Sequence, residues 1–380
     1  MLNRTIFFLL LLFANISKVS ADDLRISLLT CGTGDQIWEI FGHAAIRVTD
    51  ARKGIDEVYN YGTFDGYEEG FEWKFMQGKL LYYVSHYPYR YFLDEYKEAG
   101  RSVYEQELLA DSADKAAIYE FLQWNALREN KYYRYDFLYD NCATRIRDIF
   151  PDILGSRFQY QEQLPDAYRD MSFRQLINIY FYKNHFTRTG VNLLLGSGVD
   201  KKMDAQDIMF LPDFLREAAS QATIGSQKAF SNPKLILAGN APTGAGINWV
   251  WVITLGIFIL VSIGYITPSL LPLSKFMGNL LLFVTGALGC IMMFMWLGTS
   301  HTACSNNFNL LWALPTNIIL AFAPKKKKGA YAVMAMLLLF FALILHITGV
   351  QELALLELSP LFLSLLFIYS IIYRRNRIYS

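Results

Sequence analysis

The sequence predicts an α+β domain followed by an all-α transmembrane domain. Two observations support this division of the 380-residue chain. Before about residue 247, short alternating segments interchange with segments of helical spacing, and charged residues and tyrosines are dense. Beyond that point the chain consists mostly of apolar runs with few charges, which are typical of membrane helices. The hydrophobic fraction of 53% is therefore an average over two unlike halves.

The composition argues against several classes of function. The formal net charge is +1, which gives no indication of the basic face that a nucleic-acid partner requires. The four cysteines are too few and too scattered for a zinc site or a disulfide scaffold. The sequence contains no glycine-rich phosphate loop and no paired-histidine motif. We therefore expect no nucleic-acid partner, no metal and no cofactor.

The N-terminus has the features of a targeting signal. Arg4 precedes an apolar run from Thr5 to Ala14, and the small residues of Val19-Ser20-Ala21 suit a cleavage site. The run is shorter than a membrane span requires. We predict a signal peptide over residues 1–21 and an exported domain over residues 22–225, outside a bacterial-type inner membrane. A retained anchor helix is the alternative.

Alternating apolar residues predict the strands of the exported domain, and helical spacing predicts its helices. Asp35 can cap a short helix that runs through Phe41. Strands are expected at 24–30, 43–49, 57–61, 79–87 and 101–109, with an extended segment at 136–139. Pro151 is expected to end the helix that begins at residue 143. The helices are expected at 89–98, 112–128, 143–150, 172–182, 187–195 and 205–219.

The second half predicts about five membrane helices. Residues 226–247 are rich in small and polar types and are expected to form a linker, and residues 374–380 a cytoplasmic tail. The first, second and fourth apolar segments are long enough to cross a bilayer, whereas the third contains Pro315 and the fifth is short. The transmembrane domain is expected over 248–373, with segments at 248–267, 276–298, 308–323, 330–350 and 358–373.

Basic residues predict the orientation of this domain. Lys325 to Lys328 lie between the third and fourth segments, and three arginines lie near the C-terminus. The positive-inside rule places both clusters in the cytoplasm. An odd number of spans then places the N-terminal domain in the periplasm, in agreement with the signal peptide. The loop at 299–308, which contains His301, is expected on that same side, either as a solvated turn or as part of a substrate site.

Cys142 is the strongest candidate for a reactive residue. It lies at the start of a predicted helix, where unpaired N–H groups and the helix dipole stabilise a thiolate. The same N–H groups can hold a developing oxyanion. Arg145 and Arg147 add positive potential in the first turns. The alternative is a buried, inert cysteine.

His43 is the candidate base, because it follows Gly42 at the start of a predicted strand and can face a thiol across a short gap. The alternative is an ordinary packing histidine. Asn60, on the next strand, is the first choice for the group that orients the imidazole, and Tyr61 and Glu39 are alternatives. Asn141 can assist the oxyanion or cap the helix.

Three motifs in order resemble the Lnb-type lipoprotein N-acyltransferases of Bacteroides and relatives: 41–48, FGHAAIRV; 59–64, YNYGTF; and 139–147, YDNCATRIR. The run at 209–213 and the loop at 301–311 also resemble this family. The order of the two residues, histidine before cysteine, is similar to that of circularly permuted papain-like folds such as lecithin–retinol acyltransferase. The resemblance therefore implies a circularly permuted papain-like cysteine enzyme domain joined to a transmembrane domain.

The resemblance also implies an activity. Cys142 would accept a fatty acyl chain from a membrane phospholipid as a thioester, and His43 would move the proton. The acyl chain would then be transferred to the α-amino group of a diacylglyceryl-cysteine lipoprotein. We therefore predict Cys142, His43 and Asn60 as catalytic residues, and Tyr139, Asn141, Arg145 and His301 as oxyanion or substrate-binding residues. The sequence departs from the family in one place, because Thr302 stands where a proline is expected after the loop histidine.

Two other functions remain open from the residues. One is a membrane-anchored papain-like cysteine hydrolase that acts on cell-wall peptides. The other is a non-enzymatic membrane receptor or assembly factor in which Cys142 is structural. A hydrophilic cell-wall substrate gives no reason for five membrane segments, whereas two lipidated substrates do.

Overall fold

A computed structural model of the protein describes residues 23–161, 164–240, 244, 246–322 and 328–378. The predicted signal peptide lies outside the described residues, as do Lys325 to Lys327 of the basic cluster. The described chain forms a mixed α+β domain followed by a helical, membrane-type domain. The predicted fold class is confirmed at this level.

The exported half is built on a seven-stranded antiparallel sheet with the order β10-β5-β1-β2-β3-β4-β6. A second, small sheet has the order β7-β8-β9. The interior strand β1 is buried on both faces over most of its length, as its apolar sequence LRISLLTC requires. The strands are β1 (Leu24–Cys31), β2 (His43–Asp50), β3 (Ile55–Thr63), β4 (Leu81–Pro88), β5 (Val103–Glu107), β6 (Tyr132–Arg134), β7 (Phe158–Gln159), β8 (Thr223–Ile224), β9 (Gln227–Lys228) and β10 (Lys234–Leu237).

The helices of the exported half cover the two faces of the large sheet. A small apolar cluster that includes Phe92 covers one face, and a larger core that includes Phe150 and Phe210 lies on the other. The helices are α1 (Phe71–Met76), α2 (Tyr89–Glu98), α3 (Ser112–Asn125), α4 (Cys142–Leu154), α5 (Phe173–Tyr180), α6 (His185–Leu194) and α7 (Pro212–Gln221). The five predicted strands and the helix at 89–98 are confirmed, and α1 had no counterpart in the sequence prediction.

Four local predictions were wrong. The segment from Asp35 to Phe41 forms turns rather than a helix. Residues 136–139 turn back on themselves through a bridge between Asp136 and Asp140. The expected helix at 205–219 is broken before Pro212, because a residue that precedes proline favours extended backbone. The predicted linker contributes β10, which pairs with β5 at one edge of the large sheet.

Pro151 was expected to end α4, but the helix continues through it to Leu154. Proline cannot donate the backbone hydrogen bond that the carbonyl of Arg147 would otherwise accept. The hydroxyl of Tyr160 donates to this carbonyl instead, at 3.1 Å. A side chain that follows the helix therefore supplies the bond that proline removes.

The membrane half contains three helices that are long and apolar enough to cross a bilayer: Pro268–Leu297, Lys328–Ile347 and Leu355–Arg375. The fifth predicted segment is therefore longer than expected. The first is shorter, and the third has only a six-residue helix among the described residues. The helices are α8 (Trp249–Ile263), α9 (Leu271–Leu297), α10 (Asn317–Phe322), α11 (Lys328–Ile347) and α12 (Leu355–Ile378).

Hydrogen bonds join the two halves. The loop that follows α9 accepts a hydrogen bond from the exported half, because the N–H of Gly196 donates to the carbonyl of Ala303 at 2.9 Å. The same loop donates one in return, from the N–H of Ser300 to the carbonyl of Gln77. The carboxylate of Glu357 on α12 accepts from the guanidinium of Arg188 on α6. The side chain of His301 contacts α1. The 299–308 loop thus lies against the exported domain, in agreement with the predicted orientation.

Candidate active site

The N-terminus of α4 is fixed by a capping box. The side-chain oxygen of Asn141 accepts from the N–H groups of Ala143 and Thr144 at 2.8 and 2.9 Å. The hydroxyl of Thr144 in turn accepts from the N–H of Asn141 at 2.8 Å. These bonds satisfy donors that a helix start otherwise leaves unpaired. Cys142 is therefore held as the first residue of a rigid helix, with a side chain that is 8% exposed.

A glycine turn positions the histidine at the start of β2. Gly42 has a φ of 77°, which favours glycine, and a Cβ there would lie 2.6 Å from the carbonyl oxygen of Cys31. The strand therefore enters the sheet close to β1, and His43 pairs with Cys31 in its register. The imidazole is partly buried and faces the N-terminus of α4.

The imidazole of His43 lies between an amide and a thiol. Its Nε2 is hydrogen-bonded to Oδ1 of Asn60 at 2.5 Å, and its other side is hydrogen-bonded to the thiol of Cys142. Since Oδ1 of an amide only accepts, Nε2 carries the proton, and Nδ1 is the nitrogen left for the thiol. The amide nitrogen of Asn60 donates to the hydroxyl of Tyr87 at 3.1 Å, which holds the amide in place.

The pKa values of Cys142 and His43 are shifted toward each other. Burial alone raises the pKa of the Cys142 thiol, but the positive charge and hydrogen bond of His43 bring it below its usual value. The backbone N–H groups of Ala44 and Ala143 also donate to the sulfur and lower its pKa further. Burial alone lowers the pKa of His43, but the thiolate and the hydrogen bonds raise it above its usual value. The arrangement therefore favours a thiolate–imidazolium pair.

The structure distinguishes among the three candidates for the orienting group. Only Asn60 contacts the imidazole by a hydrogen bond. The hydroxyl of Tyr61 donates to Asn125 at 2.7 Å, and the carboxylate of Glu39 pairs with Arg101 at 3.3 Å. Both are therefore engaged away from the imidazole.

The other residues predicted for the site lie around the pair rather than on it. Asn141 donates both amide N–H groups to carbonyls, so its side chain caps the helix and has no donor left for an oxyanion. Arg145 forms a bidentate pair with Asp140 and lies over the ring of Tyr133. The half-exposed Tyr139 packs its ring against Phe173.

His301, in the loop after α9, contacts helix α1. Its Nε2 donates to the carbonyl of Phe75 at 3.1 Å, and the N–H of Ser300 donates to the carbonyl of Gln77 at 2.8 Å. The hydroxyl of Thr302, the residue that departs from the family pattern, donates to the carboxylate of Asp136. The loop therefore fastens α1 and the turn before α4 to the membrane half.

Two features of the site have no sequence signal of their own. The N–H groups of Ala44 and Ala143 are backbone donors, which any residue would supply. Gly62 has a φ of 89°, and a Cβ there would lie 3.8 Å from both Cys142 and the ring of Tyr135. The positive φ and the proximity of Gly62 to Cys142 appear only once the strands are placed.

Alkylation of Cys142 by iodoacetamide is expected to continue at pH values at which an ordinary thiol is mostly protonated, because its pKa is lowered. The His43→Ala variant is expected to move the pH–rate profile upward. The substitution removes the imidazolium while the burial that disfavours the thiolate remains. Mass spectrometry of the alkylated peptide, sampled from about pH 5 to about pH 10, measures both profiles.

Cys304 is the internal control for this experiment. Burial raises the pKa of its thiol to about 11, so it is expected to react slowly in both proteins. Cys304 and Cys31 are both free thiols, and burial raises the pKa of Cys31 to about 12. A profile for Cys142 that does not move when His43 is replaced would contradict the ion pair.

Comparison with known families agrees with this two-part architecture. The family model described as the Lnb N-terminal periplasmic domain matches residues 14–177, which include the thiol–imidazole pair. The model described as the Lnb transmembrane domain matches residues 246–377. No curated protein and no solved structure matches the chain. Since the two models together cover most of the sequence in the expected order, the chain belongs to the Lnb family, with a periplasmic domain followed by a transmembrane domain.

Proposed function

We propose that the protein is a lipoprotein N-acyltransferase with Cys142 as its nucleophile. It transfers a fatty acyl chain from a membrane phospholipid to the α-amino group of a diacylglyceryl-cysteine lipoprotein. The proposal includes a circularly permuted papain-like catalytic domain in the periplasm and a multi-pass anchor in the inner membrane. The observation that carries it is the thiol–imidazole pair, held in a domain that is hydrogen-bonded to membrane helices.

In the first step, the thiolate of Cys142 attacks an ester carbonyl of the phospholipid. The N–H of Ala44, which already donates to the sulfur, is placed to hold the oxyanion that develops beside it, whereas the N–H of Ala143 also donates to the side chain of Asn141. The bond to the glyceryl oxygen then breaks, and the imidazolium of His43 protonates the leaving alcohol. The product is an acyl thioester on Cys142 and a lysophospholipid.

In the second step, the lipoprotein amine attacks the thioester. The neutral imidazole of His43 takes the proton from the amine, and the sulfur leaves as a thiolate. The amide forms and the starting ion pair is restored. Asn60 keeps Nε2 of His43 protonated in both steps, so that Nδ1 exchanges the proton.

The presence of a membrane half favours two lipidated substrates over a soluble substrate. Confinement of both substrates and the enzyme to one leaflet raises their effective concentration. A cell-wall hydrolase would act on a hydrophilic peptide and would gain nothing from this confinement. The same thiol–imidazole pair could nevertheless serve such a hydrolase, so the assay includes both substrates.

The purified protein in phospholipid nanodiscs should convert a diacylated lipopeptide into the triacylated form. Mass spectrometry should detect the added acyl chain and one lysophospholipid for each chain transferred. Muropeptides incubated in parallel should stay intact. Cleavage of muropeptides without acylation of the lipopeptide would favour the hydrolase, and the absence of both products would favour a non-enzymatic role.

A further inference from the structure

Helix α1 is unusual among the helices of the exported half because none of its residues is buried. Two of its aromatic side chains, Trp73 and Phe75, are 53% and 52% exposed, and Met76 is also exposed. Tyr67, in the turn before the helix, is fully exposed. Several large apolar side chains exposed on one short segment indicate an interaction site, and the exposed Glu72 lies among them.

The contacts of α1 place it at one end of the long apolar helix α9. The ring of Trp73 stacks on Phe294 with centroids 6.2 Å apart, and Phe294 lies in the last turn of the membrane-spanning helix α9. His301 and Ser300, which follow α9, donate to backbone carbonyls of Phe75 and Gln77. The helix therefore lies beside the periplasmic end of a membrane span. Aromatic residues at this level are typical of the bilayer interface.

A row of aromatic rings leads from α1 to the thiol. Phe71 of α1 stacks on Phe64 at 5.7 Å, and Phe64 contacts Tyr82 at 5.5 Å. Tyr82 stacks on Tyr135 at 4.5 Å. The ring of Tyr135 and the Cβ of Cys142 each lie 3.8 Å from the position that a Cβ would take at Gly62, so the last ring of the row is a close neighbour of the reactive residue. A row of contacting aromatic rings thus leads from the helix at the end of the membrane span to the immediate neighbourhood of Cys142.

We propose that α1 lies in the headgroup region of the outer leaflet of the inner membrane and that the aromatic row Phe71–Phe64–Tyr82–Tyr135 guides a phospholipid acyl chain from this leaflet to Cys142. The guiding role rests on the proposed acyl transfer, whereas the membrane contact of α1 does not. The occupant of the surface is lipid rather than protein because the surface is continuous with the end of a membrane span. A short helix with exposed aromatic residues suits the bilayer interface.

The membrane contact can be measured by fluorescence quenching in nanodiscs that contain brominated phospholipids. The fluorescence of Trp73 is the difference between the unaltered protein and Trp73→Phe. The brominated phospholipids should quench this difference. The control is Tyr91→Trp, because exposed Tyr91 lies on α2, beyond the opposite end of the eight-residue strand β4. The added fluorescence of this control should not be quenched. Equal quenching at positions 73 and 91, or none at 73, would overturn the membrane contact.

The guiding role can be measured by alkylation of Cys142 with two reagents in the same nanodiscs. One is water-soluble iodoacetamide, and the other is its N-hexadecyl derivative, which partitions into the bilayer. In both, the thiolate displaces iodide and forms a carbon–sulfur bond. Tyr82→Asn and Phe64→Asn should slow the hexadecyl reagent about tenfold, because they interrupt the apolar row. They should leave the rate with iodoacetamide unchanged.

Tyr83→Asn is the matched control, because Tyr83 is the next residue of β4 and its side chain points to the other face of the sheet. It should leave both rates unchanged. If the row variants slow both reagents equally, or neither, the guiding role is wrong. No lipoprotein is present in this experiment, so its result is independent of the acyl-transfer assay. A protein that fails to acylate lipopeptide can still show the selective loss.

Discussion

The Cys142→Ala variant is expected to lose at least about a thousandfold of its lipopeptide acylation rate, because no thioester can form without the sulfur. The fold should be retained. Alanine favours the first turn of a helix, and the capping box of Asn141 and Thr144 does not use the side chain at position 142. The rate of triacyl lipopeptide formation in nanodiscs, followed by mass spectrometry, measures the loss. Thermal unfolding of the variant tests whether the fold is intact.

Cys304→Ala is the matched control for this variant. Cys304 is also a buried free thiol, but its pKa is raised rather than lowered, and it lies in the loop between α9 and α10. Its replacement should leave acylation close to the rate of the unaltered protein. If Cys142→Ala still converted diacylated into triacylated lipopeptide at a comparable rate, the covalent mechanism would be wrong, whatever the geometry of the pair.

The His43→Ala variant is expected to lose less of its acylation rate than Cys142→Ala. The thiol of Cys142 remains and can still form a thiolate, but burial then opposes its ionisation without an opposing charge. A slow remnant that increases with pH is therefore expected at most. The two variants therefore differ in how their residual rates depend on pH. Solvent hydroxide can replace a missing base in part, but it cannot replace a missing nucleophile.

Sequence patterns predicted the elements whose signals are local. The helix at 89–98 was predicted with its observed bounds, and the strand that begins at His43 differs by one residue at its end. The helix that starts at Cys142 was also located from its preceding asparagine, a favoured capping residue. These features follow from short-range periodicity and capping, which are encoded in adjacent residues.

Features that depend on distant partners were missed or mistaken. The continuation of α4 through Pro151 depends on the hydroxyl of Tyr160, which no local rule connects with the helix. Helix α1 buries no residue in the core, so its aromatic residues give no inward-facing stripe to recognise. Asn60, in contrast, was the first choice for the orienting group from the sequence, and it is hydrogen-bonded to His43 in the structure. The hydrogen bond that engages Tyr61 and the ion pair that engages Glu39 come from distant residues and have no local signal.

The Arg174→Met variant is expected to destabilise the exported half by about 3–5 kcal/mol, since it leaves a charge buried without its partner. Arg174 is 1% exposed and forms a bidentate pair with the equally buried Asp200. Its guanidinium also donates to the side chain of Asn192 and to the carbonyls of Asn192, Leu195 and Gly196. For a domain of this size the apparent Tm should fall by roughly 6–20 °C. Differential scanning fluorimetry in nanodiscs measures the shift.

Lys202→Met is the matched control, because Lys202 and Asp170 form an ion pair of 2.8 Å whose side chains are largely exposed to solvent. Water and salt screen such a pair, so the Tm should change by less than about 2 °C. The contrast matters because Asp200 also accepts the N–H of Glu352 at 3.1 Å, in the loop before α12. The buried pair therefore stabilises the junction with the membrane half as well as the core of the exported half. If Arg174→Met and Lys202→Met shifted the Tm equally, burial of the Arg174 pair would not be what holds this junction together.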